Sequence, residues 1–404
     1  MHLSENDAAT LPGSGLRWLS ANGAEPPVRV VDADDRMSAN RAHRLVTRGT
    51  GLLWRGDFHQ ARQLLNALAR RLRRPPQHTS SMAEAFFHQR QEQARKARAL
   101  SLVLVRVEPD HVLALRRAPD VSSACRDVYG PADAPYAVPL RELLGVIGAQ
   151  EWRRKGVPVP ALGARIHPHY GVFAPTRSEY VDLVADAPLP PTRTAFDIGT
   201  GTGVLAAVLA RRGVARVVAA DNSARAIRCV DDNARRLGLA ERIHPLQTDI
   251  FPPGRAQLVV CNPPWIPARP HSSLDHAVYD PENRMLLGFL GGLAAHLHPG
   301  GEGWLILSDL AERLGLRTRA DLLNAVHRAG LRVIGRSDTA ARHPKASAPG
   351  DPLHAVRAAE IISLWRLAPS EWLKRGHLRT SRSRARARPI CANRKGDTCK
   401  SRSW

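Results

Sequence analysis

The sequence has few cysteines, few aromatic residues and no long apolar run. Five of its 404 residues are cysteines, and Phe, Trp and Tyr together make up 5%. None of the cysteines forms a C-x-x-C pair, which argues against a disulfide framework and a structural zinc site. No apolar run reaches the length of a membrane span, and residues 1–22 are too polar for a secretory signal. We therefore expect a cytoplasmic protein without a membrane-spanning helix or a bound metal.

Lysine is scarce as well, and this limits what the net charge of +22 implies. Arginine outnumbers lysine about nine to one, a bias that a GC-rich genome produces without selection for nucleic-acid binding. Residues 1–150 carry 21 basic and 15 acidic side chains (net +6), residues 151–369 carry 27 and 20 (net +7), and residues 370–404 carry 11 and 2 (net +9). The first two regions are therefore only mildly basic, and the excess is densest in the last one.

What the sequence does contain is a glycine-rich turn between an apolar strand and an apolar helix. The turn reads Asp197-Ile198-Gly199-Thr200-Gly201-Thr202-Gly203, and the helix is predicted to follow from Val204. Backbone N–H groups at such a helix N-terminus face a polar ligand. The third glycine comes two places after the second, whereas the dinucleotide fingerprint has it three places after. The spacing therefore argues against NAD or FAD.

About sixty residues further on, Asn262-Pro263-Pro264-Trp265 follows another apolar run. The motif suits a planar amino group, which is a poor nucleophile because its lone pair is delocalised. The Asn262 side-chain oxygen and the Pro263 carbonyl can accept its two hydrogens, and the two prolines, Pro263 and Pro264, fix these acceptors in place. Trp265 offers a flat face for stacking a base or an amide. The alternative interpretation is a proline-stiffened strand exit with a core tryptophan.

The two motifs, in this order and at this separation, resemble those of the class I S-adenosylmethionine-dependent methyltransferases. Asp-x-Gly-x-Gly-x-Gly is similar to their motif I. Asn-Pro-Pro-Trp is similar to motif IV of the branch that methylates planar nitrogens, which includes N6-adenine methyltransferases of DNA and RNA, N2-guanine methyltransferases of ribosomal RNA and glutamine methyltransferases of release factors. The resemblance covers residues 171–368. It implies S-adenosylmethionine as the cofactor and methyl transfer as the activity.

The resemblance also implies a set of cofactor-binding residues at three strand ends: Asp197, Gly199, Thr200, Gly201 and Gly203 at the first, Asp221 and Asn222 at the second, and Asp249 and Ile250 at the third. The glycines let the backbone approach the methionine part of the cofactor, and Asp197 faces its amino acid moiety. Asp221 ends its strand where a carboxylate accepts from ribose hydroxyls. Asp249 would accept from the adenine amine, with Ile250 near the ring. Helix capping is the alternative role for Asp197 and Asp221, and a polar turn for Asp249.

Upstream of motif I, residues 171–180 resemble the corresponding segment of release-factor glutamine methyltransferases only in part. Those enzymes typically carry Pro-Arg and Thr-Glu pairs, whereas this chain has Pro-Thr-Arg and Ser-Glu. Both a nucleic-acid base and a protein glutamine therefore stay candidates for the methyl acceptor.

Four regions are expected along the chain. Residues 1–40 are polar and without period, which favours a flexible segment. Residues 41–160 form an accessory domain that presents the substrate or covers the core. Its predicted elements are a basic amphipathic helix over 57–74, a helix from the capping Ser81 to Arg98, a hairpin of 102–107 with 112–117, and a linker at 156–163. Residues 161–369 form the methyltransferase domain, and residues 370–404 a disordered basic tail.

From Arg193 onwards, apolar runs alternate with helical patterns. This alternation favours an α/β fold, a doubly wound Rossmann-like sheet with a smaller helical or α+β domain in front of it. The resemblance implies seven strands, the last two of which form an antiparallel hairpin.

The sequence thus predicts an S-adenosylmethionine-dependent N-methyltransferase that acts on a planar amino group of RNA, DNA or the translation apparatus. The basic tail and the basic accessory helix favour nucleic acid or a ribosome-associated protein as partner. A glutamine methyltransferase acting on a release factor is the alternative within the same chemistry. A non-catalytic nucleic-acid-binding protein is the alternative from another class, and the intact Asn262–Trp265 motif argues against it.

Overall fold

The structure is a computed structural model, and it describes residues 9–75, 79–272, 274–342 and 353–370. The predicted disorder of the tail concerns residues 370–404, of which all but Ser370 lie outside this description. None of the described helices is long and apolar enough to cross a bilayer.

The first domain is a five-stranded mixed sheet with helices against it. Its strands are β1 (Arg17–Trp18), β2 (Arg29–Ala33), β3 (Thr50–Trp54), β4 (Val103–Val107) and β5 (Tyr136–Pro139), in the order β1-β5-β4-β3-β2. Its helices are α1 (Ala39–Thr47), α2 (Phe58–Arg71), α3 (Met82–Leu100), α4 (Ser122–Tyr129) and α5 (Leu140–Lys155). Side chains alternate across β3 and β4: Leu52 and Val103 join the core beneath the helices, and Leu53 and Leu104 face the other side. Three of its four strand pairings are parallel and helices connect β2, β3, β4 and β5 in turn, so the accessory domain is of the α/β rather than the α+β type.

The prediction of a flexible segment over residues 1–40 is wrong for the described residues 9–40. Strand β1 pairs with β5, and β2 pairs with β3. Leu11, Leu16 and Trp18 are buried and cover the face of the sheet opposite the helices. The sequence shows no period here because the strands are short and only a few apolar residues, separated by turns, are needed to cover that face.

The predicted hairpin of 102–107 with 112–117 is also wrong in its second strand. Strand β4 forms as expected, but its antiparallel partner is β5. Asp110 and His111, with φ of 55° and 64°, turn the chain away after Pro109. His111 is then buried, with Nδ1 2.7 Å from the Tyr136 hydroxyl and Nε2 2.8 Å from the Gly130 carbonyl. Positive φ is uncommon outside glycine, and although Asp and His are enriched there, two such residues in succession are not expected from the sequence.

The predicted linker at 156–163 is instead part of a small hairpin between the two large sheets. Strand β6 (Val157–Val159) pairs antiparallel with β7 (Ala164–Ile166). Pro160 begins a 3-10 turn that ends at Gly163, which takes the left-handed conformation. Proline and glycine thus mark the turn of a hairpin, and the predicted domain boundary at residue 160 falls inside it.

The second domain is a seven-stranded sheet in the order β10-β9-β8-β11-β12-β14-β13. Its strands are β8 (Thr194–Ile198), β9 (Arg216–Asp221), β10 (Ile243–Gln247), β11 (Ala256–Cys261), β12 (Leu297–Ser308), β13 (Leu331–Ala340) and β14 (Ile361–Pro369). Strands β8 to β12 pair in parallel, and β14 runs antiparallel to both β12 and β13. The predicted doubly wound sheet and its closing hairpin are confirmed.

Helices cover both faces of this sheet, as its continuous apolar strands require. They are α6 (Glu179–Asp186), α7 (Val204–Arg211), α8 (Ala224–Arg236), α9 (Arg284–His296), α10 (Leu310–Arg313), α11 (Arg319–Arg328) and α12 (His354–Ala358). Helices α6, α7 and α8 pack on one face, and α9 and α11 pack on the other. Two separate cores result, and the loops that follow the parallel strands meet at one edge between them.

The two domains are joined by ion pairs as well as by the chain. Asp232 of α8 accepts a hydrogen bond of 2.8 Å from Arg153 of α5, and His169 lies 2.8 Å from the same carboxylate. Arg153 also pairs with Asp127 of α4, at 2.7 Å. The accessory domain is therefore held against the first face of the methyltransferase sheet.

Candidate active site

The predicted site residues follow the carboxyl ends of four adjacent parallel strands. In spatial order these are β10, β9, β8 and β11, followed by Asp249, Asp221, the glycine-rich turn and Asn262 respectively. Strands β8 and β11 pair directly, with Ile198 opposite Cys261. The glycine turn and the Asn262–Trp265 motif therefore leave the sheet side by side, although some sixty residues separate them in sequence. Open α/β sheets bind ligands at this edge.

The three glycines of the turn all have positive φ, but their surroundings differ. The φ angles are 68°, 57° and 80° at Gly199, Gly201 and Gly203. A Cβ at Gly199 would collide with the end of the Met285 side chain, and one at Gly203 would press on Val230 of α8. A Cβ at Gly201 would meet no atom within 4 Å. Gly201 is thus the glycine of this turn that faces open space, and the other two are required by backbone conformation and packing.

Asp197 is turned into the protein. The residue is 1% exposed, and its Oδ2 accepts hydrogen bonds from the Thr200 hydroxyl at 2.6 Å and from the Ala206 N–H of α7 at 3.0 Å. Burial raises the pKa of this carboxyl to about 6, against the lowering effect of the two hydrogen bonds. These contacts make Asp197 a support of the turn, which agrees with the capping alternative. The contact with the cofactor that the resemblance implies stays a prediction.

Asp221 lies at the end of β9 and holds the adjoining backbone. Its Oδ2 accepts from the Gly201 N–H at 3.0 Å, and its Oδ1 accepts from the Ser223 N–H at 2.9 Å. Burial raises the pKa of the carboxyl, while these N–H donors lower it. Asn222 beside it is exposed, and its carbonyl accepts from Gln247. Asp221 is therefore next to the open side of Gly201, where a ribose acceptor is expected.

Asp249 and Ile250, the predicted cofactor-binding residues after β10, contact other residues of the protein rather than open space. Both carboxylate oxygens of Asp249 pair with Arg284 at the start of α9, at 2.8 and 3.0 Å. Both side chains are more than half exposed, so the pair is worth little to stability. Ile250 packs against Gly288 of α9, and the neighbouring Phe251 ring stacks on His296 with 4.2 Å between centroids. Asp249 would have to exchange Arg284 for an adenine amine.

The Asn262–Trp265 motif folds back on itself through one hydrogen bond. The Trp265 indole N–H donates to the Asn262 Oδ1 at 2.8 Å. Because the indole N–H is only a donor, this bond also defines which end of the amide is the oxygen. A carbonyl-type oxygen has two lone pairs, so Oδ1 can accept a second hydrogen. Pro263 is buried and Pro264 half-buried, as expected for a rigid turn.

Trp265 does not present a bare face, and sequence reasoning missed the residue that covers it. The Arg177 guanidinium lies over the indole ring, 5.0 Å from its centroid. Arg177 is held by the buried Glu360, whose two oxygens accept at 3.2 and 3.3 Å, and it lies 3.5 Å from the buried Glu179. The Ser308 hydroxyl donates to the same Glu360. The Thr-Arg-Ser-Glu segment was visible in the sequence, but its pairing with residue 360 was not.

A second missed group is the turn before α9. Asp280 is 4% exposed, and its carboxylate accepts from the backbone N–H groups of Met285 and Leu286 at 3.0 to 3.1 Å. It thereby caps the start of α9 and places Met285 against Gly199. Burial raises the pKa of Asp280, opposed by these N–H donors. The Asp-Pro pair at 280–281 was a usable signal for a helix start.

Helix α3 of the accessory domain reaches the segment that follows the motif. Arg90 is 8% exposed, and it donates to the Arg269 carbonyl at 2.6 Å and to Asp275 at 3.1 Å. Its guanidinium lies 3.6 Å from the centroid of the Tyr279 ring. Phe86, one turn earlier on α3, packs with Ile266 in the same apolar cluster. The accessory domain therefore forms part of the wall beside the motif.

The donor set fits a nucleoside-type cofactor with an amino acid moiety. The open side of Gly201 and the carboxylate of Asp221 stand at adjacent strand ends, beneath a helix N-terminus. No group of three His, Cys, Asp or Glu side chains that could hold a metal ion occurs in the described part of the chain.

Comparisons with known proteins identify similar methyltransferases. Residues 164–313 match the family model of the methyltransferase small domain. The release factor glutamine methyltransferase of Cereibacter sphaeroides is 33% identical over 172 residues, which cover 39% of this chain and 60% of that protein. The ribosomal protein L11 methyltransferase of Sorangium cellulosum is 30% identical over 221 residues, which cover 53% and 62%. The chain thus spans about three fifths of the length of these curated relatives.

Among solved structures, the ribosomal protein L11 methylase of Lactobacillus delbrueckii subsp. bulgaricus shares 17% identity with this chain. The match covers 48% of this chain and 77% of that one, with a TM-score of 0.33. The order of the seven strands itself identifies the doubly wound fold.

Proposed function

We propose that this chain, whose residues 164–313 form a domain of the class I S-adenosylmethionine-dependent methyltransferases, methylates a planar amino nitrogen in a component of the translation apparatus. The family match and the curated relatives confirm the predicted family and its cofactor. The activity of the whole chain is our proposal, because the chain spans only about three fifths of those relatives.

One observation carries the proposal: the pairing of β8 with β11. It brings the glycine turn, on the cofactor side, next to Asn262, on the acceptor side. A transfer between two bound groups needs this adjacency, since the donor and acceptor atoms must meet in line.

The residues of the chain can prepare the acceptor for attack. S-adenosylmethionine, when bound, supplies an electrophilic methyl group. Asn262 Oδ1, held by Trp265, and the Pro263 carbonyl accept the two hydrogens of the acceptor NH₂ and direct its lone pair toward the cofactor side. The acceptor nitrogen would form its new bond to the methyl carbon that the cofactor would supply, with the thioether as the leaving group, and it would lose one proton to solvent. No strong base is required, because the nitrogen becomes acidic as it is alkylated.

A protein glutamine is a second candidate acceptor beside a nucleic-acid base. Arg177 covers one face of Trp265, which leaves less room for stacking a base than the sequence suggested. A primary amide is smaller and needs the two hydrogen-bond acceptors alone. The relative named for release factor glutamine methylation also favours this acceptor.

The test uses methyl-tritiated S-adenosylmethionine with ribosomes, ribosomal RNA, DNA and release factors from a strain that lacks this protein. We expect label in one of these fractions with the wild-type chain and none with Asn262→Ala. Label in RNA assigns a base, and label in a release factor assigns a glutamine. Binding of S-adenosylhomocysteine without label in any fraction would overturn the proposed acceptor class. Absence of both would favour the non-catalytic alternative.

A further inference from the structure

We propose that the exposed face of helices α1 and α2 binds the phosphate backbone of RNA. Residues 36–74 contain ten arginines and a single acidic residue, Asp57. The rest of the described chain mixes both signs, so this concentration belongs to one part of the accessory domain. The choice of RNA among nucleic acids rests on the proposed function; the binding surface itself does not.

The arginines are arranged at helical spacing. Arg41, Arg44 and Arg48 follow one another at three and four residues along α1 and its C-cap, so they share one side of that helix. Arg62 and Arg70 of α2, and Arg73 just beyond its end, also lie within one broad face. All six side chains are exposed.

The two helices that carry these arginines are neighbours. Asn40, at the start of α1, accepts a hydrogen bond of 3.0 Å from Arg71, at the end of α2. Helix α1 also packs against α2, with Val46 and Leu68 in one core cluster. The start of α1 is thus next to the end of α2, and the exposed sides of the two helices lie on one layer of the domain, with Arg62 and Arg73 on the side of α2 away from Arg71.

Most of the nearby carboxylates are engaged by other arginines, Asp35 by Arg116 among them, whereas Asp34 accepts from the Arg36 backbone N–H. Asp32 pairs with Arg55, Asp57 with Arg117, and Glu92 with Arg74 and Arg95. In the described residues, none of Arg41, Arg44, Arg48, Arg62, Arg70 and Arg73 has a carboxylate within 4 Å. Their charge is available to an external anion.

The chemistry of the surface fits a repeated phosphate. Guanidinium groups bind phosphate oxygens through two parallel N–H donors, and rows of them match a backbone that carries one charge per nucleotide. Helix α3 packs against α2 and contacts the wall of the candidate site through Arg90. An RNA bound on α1 and α2 would therefore lie on the helical layer that extends to the acceptor side.

The experiment compares two triple variants of the full chain. Arg41→Gln, Arg44→Gln and Arg48→Gln remove three charges from the proposed surface. Arg211→Gln, Arg236→Gln and Arg328→Gln remove three from exposed helix ends of the methyltransferase domain. Glutamine is a good helix former, so both variants should melt within a few degrees of the wild type. Binding of a fluorescent ribosomal RNA hairpin is measured without cofactor between 50 and 300 mM salt.

We expect the surface variant to bind on the order of tenfold more weakly or worse at 100 mM salt, with a salt slope lower by about 2 to 3. The control variant should stay close to the wild type, and both retain residues 371–404, so any contribution of that segment cancels. Equal loss in the two variants would overturn the proposal, because it would show that net charge alone is measured. Tighter binding of a DNA duplex of matched length would overturn the choice of RNA. The assay needs neither cofactor nor turnover, so its failure is distinct from failure of the proposed function.

Discussion

The cofactor side and the acceptor side of the candidate site are stabilised over very different distances along the chain. On the cofactor side, the hydrogen bonds of Asp197 and Asp221 join residues 3, 9 and 20 positions apart. On the acceptor side, Arg177 is tied to Glu360 over 183 positions, and Arg90 to Asp275 over 185. The hydrogen bonds of the glycine turn thus lie within one βαβ unit, although Met285 of α9 also contacts Gly199, and the second side is assembled from the whole fold.

This difference separates the binding of the cofactor from the choice of the acceptor. A self-contained cofactor turn can be placed in many proteins without change. The acceptor wall depends on the accessory domain and on the closing hairpin, so a change in either can alter the acceptor while cofactor binding is kept. Variants on the two sides should therefore fail in different assays.

The largest effect is expected from Gly201→Arg on the cofactor side. A side chain here enters the open space beside Asp221, and the positive φ of 57° adds strain. We expect binding of S-adenosylhomocysteine in calorimetric titration to be lost. Gly213→Ala, at a positive-φ glycine outside the site with open space around it, is the matched control and should bind normally. Normal binding by Gly201→Arg would mean that the cofactor lies elsewhere.

Asn262→Ala should produce the opposite pattern. Its side chain faces the acceptor, so S-adenosylhomocysteine affinity should stay unchanged, while loss of a positioned hydrogen-bond partner should lower turnover on the order of a hundredfold or more. Methyl transfer to the labelled fraction measures the rate, and titration measures the affinity. Loss of cofactor affinity in this variant would break the division into two sides.

The same difference explains what the sequence could predict. The glycine turn and Asp221 follow from local patterns, because their partners lie within one supersecondary unit. The cover of Trp265 by Arg177 depends on residues at the far end of the chain, and neither periodicity nor a motif connects position 177 to position 360. Strand β1 was missed for a related reason, since it pairs with β5, which is distant in sequence (Arg17 pairs with Tyr136).

Trp265→Phe tests the internal hydrogen bond of the acceptor side. Phenylalanine keeps a ring beneath Arg177 but cannot donate to Asn262. A hydrogen bond of this kind contributes about 1 kcal/mol, so turnover should fall roughly fivefold with cofactor affinity unchanged. Trp152→Phe, at a half-exposed position of α5, should have no effect. Wild-type turnover of Trp265→Phe would show that the Asn262 amide needs no such support.

Arg90→Ala tests whether the accessory domain contributes to the acceptor wall. The substitution removes the contacts of Arg90 with Asp275, the Arg269 carbonyl and the Tyr279 ring. The acceptor KM should therefore rise roughly fivefold, which corresponds to about 1 kcal/mol. Amide hydrogen exchange should also accelerate over residues 266–272. Arg90→Lys keeps the charge and should restore part of the loss. Arg98→Ala, at an exposed position of the same helix, is the control. Unchanged exchange in Arg90→Ala would show that the wall holds without the accessory domain.

The smallest effect is expected from Asp197→Asn, and it concerns the cofactor side alone. The folded-state pKa of Asp197 is raised from 3.8 to about 6 by burial. A carboxyl with a raised pKa stabilises the fold fully below its unfolded pKa and loses that contribution as the pH rises through its folded pKa. The wild type should therefore lose about 1 kcal/mol from this group between pH 5 and pH 7, whereas the amide, which can still accept from Thr200 and Ala206, should not. Denaturant unfolding of both proteins at the two pH values gives this difference.

If the carboxylate also contacts the cofactor, Asp197→Asn should weaken S-adenosylhomocysteine binding even where it stabilises the fold, which would separate the supporting role from the binding role. An equal pH dependence of the two proteins would show that the Asp197 carboxyl keeps its ordinary pKa.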